Sequence, residues 1–173
     1  MKAKKPQPGT LEAKTEAFKK EVNFSGLNEE QKRIYTAFVF RRAKPYRFAV
    51  NDANGNTVRF LLYTNKTDDG VLHIIGKHYR GVAGPVTATE IIIGKHYRGV
   101  AGPVTATEIV NLCDVIRNGV MTSDGKSITY TWIKGASTLK LIVGLKRSKT
   151  GENVLKSFYS NRKTSRTAGS SNK

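Results

Sequence analysis

The stretch SITYTWIKGASTLKLIVGLKRSKTGENVLKSFYS (Ser127–Ser160) decides how this chain is read. Three runs in it are rich in β-branched and aromatic residues: Ser127–Lys134, Leu139–Leu145 and Val154–Ser160. Gly135 and the pair Thr150-Gly151 punctuate them, so the turns between the runs are short. Short turns join antiparallel neighbours, because a parallel pair needs a long crossover. Further upstream, YRFAVNDANGNTVRFLLYTN (Tyr46–Asn65) has the form of a hairpin. Its runs Tyr46–Val50 and Thr57–Thr64 flank a loop that contains Asn54-Gly55. Helical patterns lie early and in the middle of the chain, and most strands come last. That order predicts an α+β fold with N-terminal and central helices packed on an antiparallel β-sheet of about four to five strands. It argues against alternating βαβ units.

The helices carry their own start signals. Asn28 can cap a helix whose first turn holds Glu29 and Glu30, favourable at the positive end of the helix dipole. Ile34, Phe38 and Val39 give that helix an apolar side. A second helix opens at Thr105 with Glu108 three residues on, the pattern of a capping box. Ile109, Leu112, Cys113 and Ile116 follow at spacings of three and four as a core face, and Gly119 ends it. Leu11–Val22 has little apolar content and reads as a short exposed helix. The expected organisation is a basic flexible segment over 1–22, one domain over 23–163 and a basic flexible tail over 164–173.

The middle of the chain is copied. IIGKHYRGVAGPVTATEI occupies 74–91 and again 92–109, a tandem repeat of 18 residues. Each copy contains Gly and Pro residues that break helices, so the copy adds a loop and a short helix rather than five more helical turns. Removing either copy leaves VLHIIGKHYRGVAGPVTATEIVNLCDVIRNG, which reads as helix, loop, helix. Two repeats are too few for a solenoid. The junction segment TATEIIIGKHYR (87–98) has the pattern of a helix of its own. Only the first copy keeps two histidines, because Ile91 stands where His73 stands one repeat earlier.

On an α-helical wheel, Val71, Leu72, Ile74, Ile75 and Tyr79 share one side of VLHIIGKHYR. His73, Lys77 and Arg80 share the other. His78 falls on the apolar side, roughly 140° from His73, so α winding predicts that the two rings do not meet. His78 is then either a core histidine or a functional group pointing inward. The cationic stripe is either a solvated face or a phosphate clasp.

Bulk properties bound the function. Thirty Lys and Arg against 13 Asp and Glu give a net charge of +17. Such an excess suits a polyanion, most often nucleic acid. After Glu152 no acidic residue follows, while Lys156, Arg162, Lys163, Arg166 and Lys173 do. Cys113 is the only cysteine, which excludes an internal disulfide and a Cys-rich zinc site. No signal-peptide-like or membrane-spanning apolar run is present, so the expected site of action is cytoplasmic, with no membrane partner.

Five segments in order, HIIGKH (73–78), VTATEIVNLCDVIRNG (104–119), SDGKSITYTWIKG (123–135), LKLIVGLKR (139–147) and ENVLKSFYSNRK (152–163), resemble the phage and polymorphic-toxin branch of the barnase–EndoU–colicin–RelE superfamily of RNases. The resemblance covers about Val71–Lys163 once one copy is discounted; the duplication departs from the pattern. It implies metal-independent RNA cleavage without a cofactor, in which the 2′-hydroxyl of the RNA attacks the phosphodiester. His78 would be the acid or base, with His73 assisting or holding phosphate and Lys77 stabilising charge. Ser157 and Tyr159, on one face of the last strand, would meet the His78 helix. Arg80, Lys95, His96, Arg98, Lys156, Arg162 and Lys163 would contact RNA or its phosphates. An acidic immunity protein or antitoxin is the expected protein partner. The alternative is a basic nucleic-acid-binding protein without catalysis, left by a duplication that inactivated an RNase. Other classes lack their marks: the carboxylates are scattered rather than clustered for two metals, and neither HExxH nor a P-loop occurs.

Overall fold

A computed structural model describes residues 10–79 and 104–162, the side chains of 161 and 162 excepted. Helix α1 (Leu11–Glu21) starts at Thr10, whose hydroxyl accepts the Ala13 N–H at 3.2 Å, with Glu12 in the first turn and Lys19 and Lys20 in the last. Helix α2 (Glu29–Val39) starts at Asn28 as expected. The cap is a full box: Asn28 Oδ1 accepts the Gln31 N–H and Gln31 Oε1 accepts the Asn28 N–H. The hairpin of β1 (Tyr46–Asn51) and β2 (Thr57–Leu62) turns on Asp52, whose carboxylate accepts the N–H groups of Asn54 and Asn56 at 2.9 Å.

Next comes one α turn, α3 (Val71–His73), which passes directly into a π-helical turn, Ile74–His78. Helix α4 (Ala106–Val110) begins with the predicted Thr105–Glu108 box. The core face of Ile109, Leu112, Cys113 and Ile116 is fully buried. It lies on two short helices, not one, because the winding breaks at Asn111-Leu112 before α5 (Cys113–Asn118). Strands β3 (Val120–Ser123), β4 (Ser127–Lys134), β5 (Ser137–Gly144) and β6 (Val154–Arg162) follow. The β4–β5 turn is Gly135-Ala136, with Gly135 at φ +61°, the positive value a two-residue hairpin turn needs at that position.

The fold is α+β, and its sheet has six strands in the order β1-β2-β6-β5-β4-β3. It is mixed rather than wholly antiparallel. The last strand returns to the middle of the sheet and lies parallel to β2, meeting it at Leu61 and Val154. The extra strand is β3, all four of whose residues are exposed. Helix α5 touches β1 as well as β4 and β5, so the sheet curls around it. Phe38, Ile34, Leu62, Ile109, Leu141 and Phe158 are among the fully buried residues of the core. The short helix expected over Leu11–Val22 forms as α1, but it is not wholly exposed. Phe18 is fully buried there against Tyr35, Phe38 and Tyr79. Among the described residues no helix is long and apolar enough to cross a membrane.

The fold also shows how the two copies divide the work. Ile74–Tyr79 comes from the first copy, and Val104–Ile109 from the second. They meet where the Val104 N–H donates to the His78 carbonyl at 2.7 Å, and Tyr79 and Val104 form a parallel bridge. The unique flanks explain the choice. Gly70, at φ +75°, precedes the first copy, and a Cβ there would lie 2.4 Å from the Tyr63 carbonyl oxygen. The residue one repeat later is Ala88, which would meet that clash. Val110, Leu112 and Cys113, all buried, follow the second copy. One repeat earlier stand Ile92, Gly94 and Lys95. The junction helix expected at 87–98 lies outside the described residues.

Candidate functional site

The His-bearing turn is built against the open edge of β6. Beyond Val154, β2 no longer pairs with β6. There the Gly70 N–H donates to the Lys156 carbonyl at 3.2 Å, and the Val71 N–H donates to the Tyr63 carbonyl at 3.0 Å. These bonds dock the start of α3 on both strands. A bulge in β6 accompanies the docking: Ile142 pairs with Ser157 and Val143 with Leu155, which leaves Lys156 as an extra residue. The bulge shifts the alternation, so Leu155 and Phe158, three apart, are both fully buried. From Ser157 onward the expected alternation holds, and Ser157 and Tyr159 share a face.

The two histidines meet. Their Nε2 atoms are 3.2 Å apart, and the ring centroids 4.9 Å apart at 69°. The expected separation of about 140° assumed α winding. The Tyr79 N–H instead reaches the Ile74 carbonyl at 2.8 Å, an i→i+5 bond. A turn closed at i+5 brings i and i+5 to one side, and such turns occur often at functional sites. His73 therefore does not share an outward stripe with Lys77: Lys77 is exposed, while the His73 ring turns to His78.

His78 is buried, and its ring lies 5.6 Å from that of Tyr159. Ser157 is buried nearby on the same strand face but hydrogen-bonds neither imidazole. Lys140, which the sequence reading passed over, stands across from Tyr159 in the β5–β6 register and so shares its face. His73 is half-buried, and its pKa lies below the ordinary 6.5. Burial is the main cause, and Lys77 adds to it. Asp69 and Asp68 oppose the shift, and Lys156 adds a smaller downward push. His73 is thus held neutral near pH 7. The pair shares one hydrogen bond, in which one Nε2 donates and the other accepts according to the tautomers.

Groups that the sequence reading missed brace this turn. The Lys14 ammonium of α1 donates to the Gly76 carbonyl at 2.7 Å. The Tyr79 hydroxyl donates to Glu21 at 2.8 Å, and burial with that bond pushes the phenol well above its usual pKa. Asp69, buried just before Gly70, accepts from Arg147 Nε at 2.8 Å. Asp68-Asp69 was legible as a turn, but its partner lies 78 positions away, and no local pattern points to it. Cys113 is fully buried and its thiol pKa is raised, as suits a core residue rather than a nucleophile. Arg80, Lys95, His96, Arg98 and Lys163 lie outside the described residues. Arg162 is placed on β6 by its backbone alone.

No protein-family model, curated protein or solved structure matches the chain.

Proposed function

We propose that this domain is a metal-independent endoribonuclease acting on cytoplasmic RNA, tRNA among the candidates. The observation that carries the reading is the pair of imidazoles in Nε2 contact beside Tyr159, with the charges of Lys77 and Lys156 near enough to lower the His73 pKa. RNA brings its own nucleophile, so the protein needs to move one proton and stabilise one developing charge. His73 takes the proton of the 2′-hydroxyl as that oxygen attacks phosphorus. The proton crosses the Nε2 contact to His78 and passes to the 5′-oxygen as the P–O5′ bond breaks. The products are a 2′,3′-cyclic phosphate and a free 5′-hydroxyl. Lys77 and Lys156 stabilise charge on the phosphorane-like transition state, and Tyr159 and Ser157 hold the phosphate. A net charge of +17 supports a polyanionic substrate and an acidic immunity protein or antitoxin as partner.

The same charge also supports the rival reading, a nucleic-acid-binding protein without catalysis. The two part on histidine dependence. With total tRNA and EDTA present, the protein is expected to leave cyclic-phosphate ends. His78→Ala is expected to lower the rate by about 100-fold or more, with salt-sensitive binding retained. If neither this chain nor a version lacking one repeat cuts RNA, the binding-only reading replaces the nuclease.

A further inference from the structure

We propose that His73 and His78 together form a binding site for a borderline divalent metal ion, with Zn2+ as the biological candidate. The geometry goes beyond the nuclease reading and does not depend on it. Two imidazole nitrogens bound to one tetrahedral zinc at about 2.0–2.1 Å must lie about 3.3 Å from each other. The two Nε2 atoms here are 3.2 Å apart. The site is also held in place before any ion arrives. The π turn fixes the i, i+5 pairing, Lys14 anchors that turn at the Gly76 carbonyl, and Tyr159 backs the His78 ring. An ion would therefore spend little free energy on ordering side chains.

Imidazole nitrogen selects Zn2+, Cu2+ and Ni2+ over Mg2+ and Ca2+, which prefer oxygen. The surrounding charges are divided: Lys77 and Lys156 oppose a dication, while Asp68 and Asp69 favour it. Among the described residues no third His, Cys, Asp or Glu completes a metal cluster with this pair. Water or a ligand oxygen would take the remaining positions. Such a site exchanges its ion readily, unlike a closed structural zinc site. An ion seated there occupies the nitrogens that acid–base chemistry would use. Where the nuclease reading holds, Zn2+ is thus an inhibitor that EDTA removes.

The test uses the full chain, stripped with EDTA and then dialysed free of chelator. Zn2+, Cu2+ and Mg2+ are titrated by calorimetry, alongside nitrogen-15 spectra of the imidazoles. One Zn2+ per chain is expected, with Cu2+ tighter in the usual order and Mg2+ silent. The Nε2 resonances of both His73 and His78 should shift in the unmodified protein, which needs no variant to fold. His73→Gln and His78→Gln should each weaken binding by about tenfold or more. Absence of binding at millimolar Zn2+ overturns the proposal, as does binding that moves neither Nε2 resonance or survives both single substitutions. None of these readouts involves RNA. A protein that binds zinc but cuts nothing would sink the nuclease reading alone.

Discussion

At the scale of single residues, what could be read from sequence was what is local. Asn28 and Thr105 cap their helices as expected because a cap needs only the next three residues. The contact of His73 with His78 could not be read, because periodicity cannot tell a turn closed at i+5 from one closed at i+4. The brace that accompanies the wider turn comes from Lys14 and Glu21, on a distant helix. Two predictions belong at this scale. Since folding depresses the His73 pKa, the unfolded chain binds its proton more readily. The stability His73 confers is therefore present above pH 6.5 and lost as pH falls through that value toward its lower folded pKa. Urea unfolding in EDTA at stepped pH should show a decline on the acid side that His73→Gln flattens. Gly70→Ala combines a positive φ with a Cβ 2.4 Å from the Tyr63 oxygen. It should cost about 1–3 kcal/mol in the same assay; an unchanged midpoint would mean that the Tyr63–Gly70 junction yields.

At the scale of elements, β4, β5 and β6 were legible because their apolar and β-branched runs are long and their turns are marked. Strand β3 was not, since all four of its residues face solvent and nothing in Val120–Ser123 alternates between core and surface. The docking of helix α1, though not its existence, was illegible for a related reason. Its mean composition is polar, yet one residue, Phe18, reaches the centre of an aromatic cluster with Tyr35, Phe38 and Tyr79. A single fully buried ring can dock a helix that composition would leave free. Phe18→Ala should cost about 3–5 kcal/mol of stability, measured by chemical denaturation. It should also loosen the brace on the π turn, seen as faster amide exchange at Tyr79. A cost below 1 kcal/mol would make α1 an accessory.

For the whole molecule, the class was legible and the sheet order was not. The order of helices and strands along the chain sets the class. Whether β6 closes beside β5 alone or also beside β2 depends on where the hairpin docks, which no local pattern records. The duplication was plain in sequence, but the assignment of the copies required the buried flanks. Because Tyr79 and Val104 are bridged, 24 residues now span anchors that a single copy spans with six. Counting loop closure alone, two doublings in length cost about 1 kcal/mol. Deleting 18 residues should therefore raise stability by about that amount, with the described core unchanged. A fall in melting temperature would show that the extra residues contribute packing of their own.

The π turn holds one residue more than an α turn between the same two rings, and the surplus makes their contact revocable. Ordinary winding would carry His78 about 140° away from His73. Excising Gly76 would instead place the two at i and i+4, where an unstrained helix keeps them neighbours. Lesions that touch neither imidazole but rewind these five residues would thus dissolve the dyad and leave the rest of the domain standing.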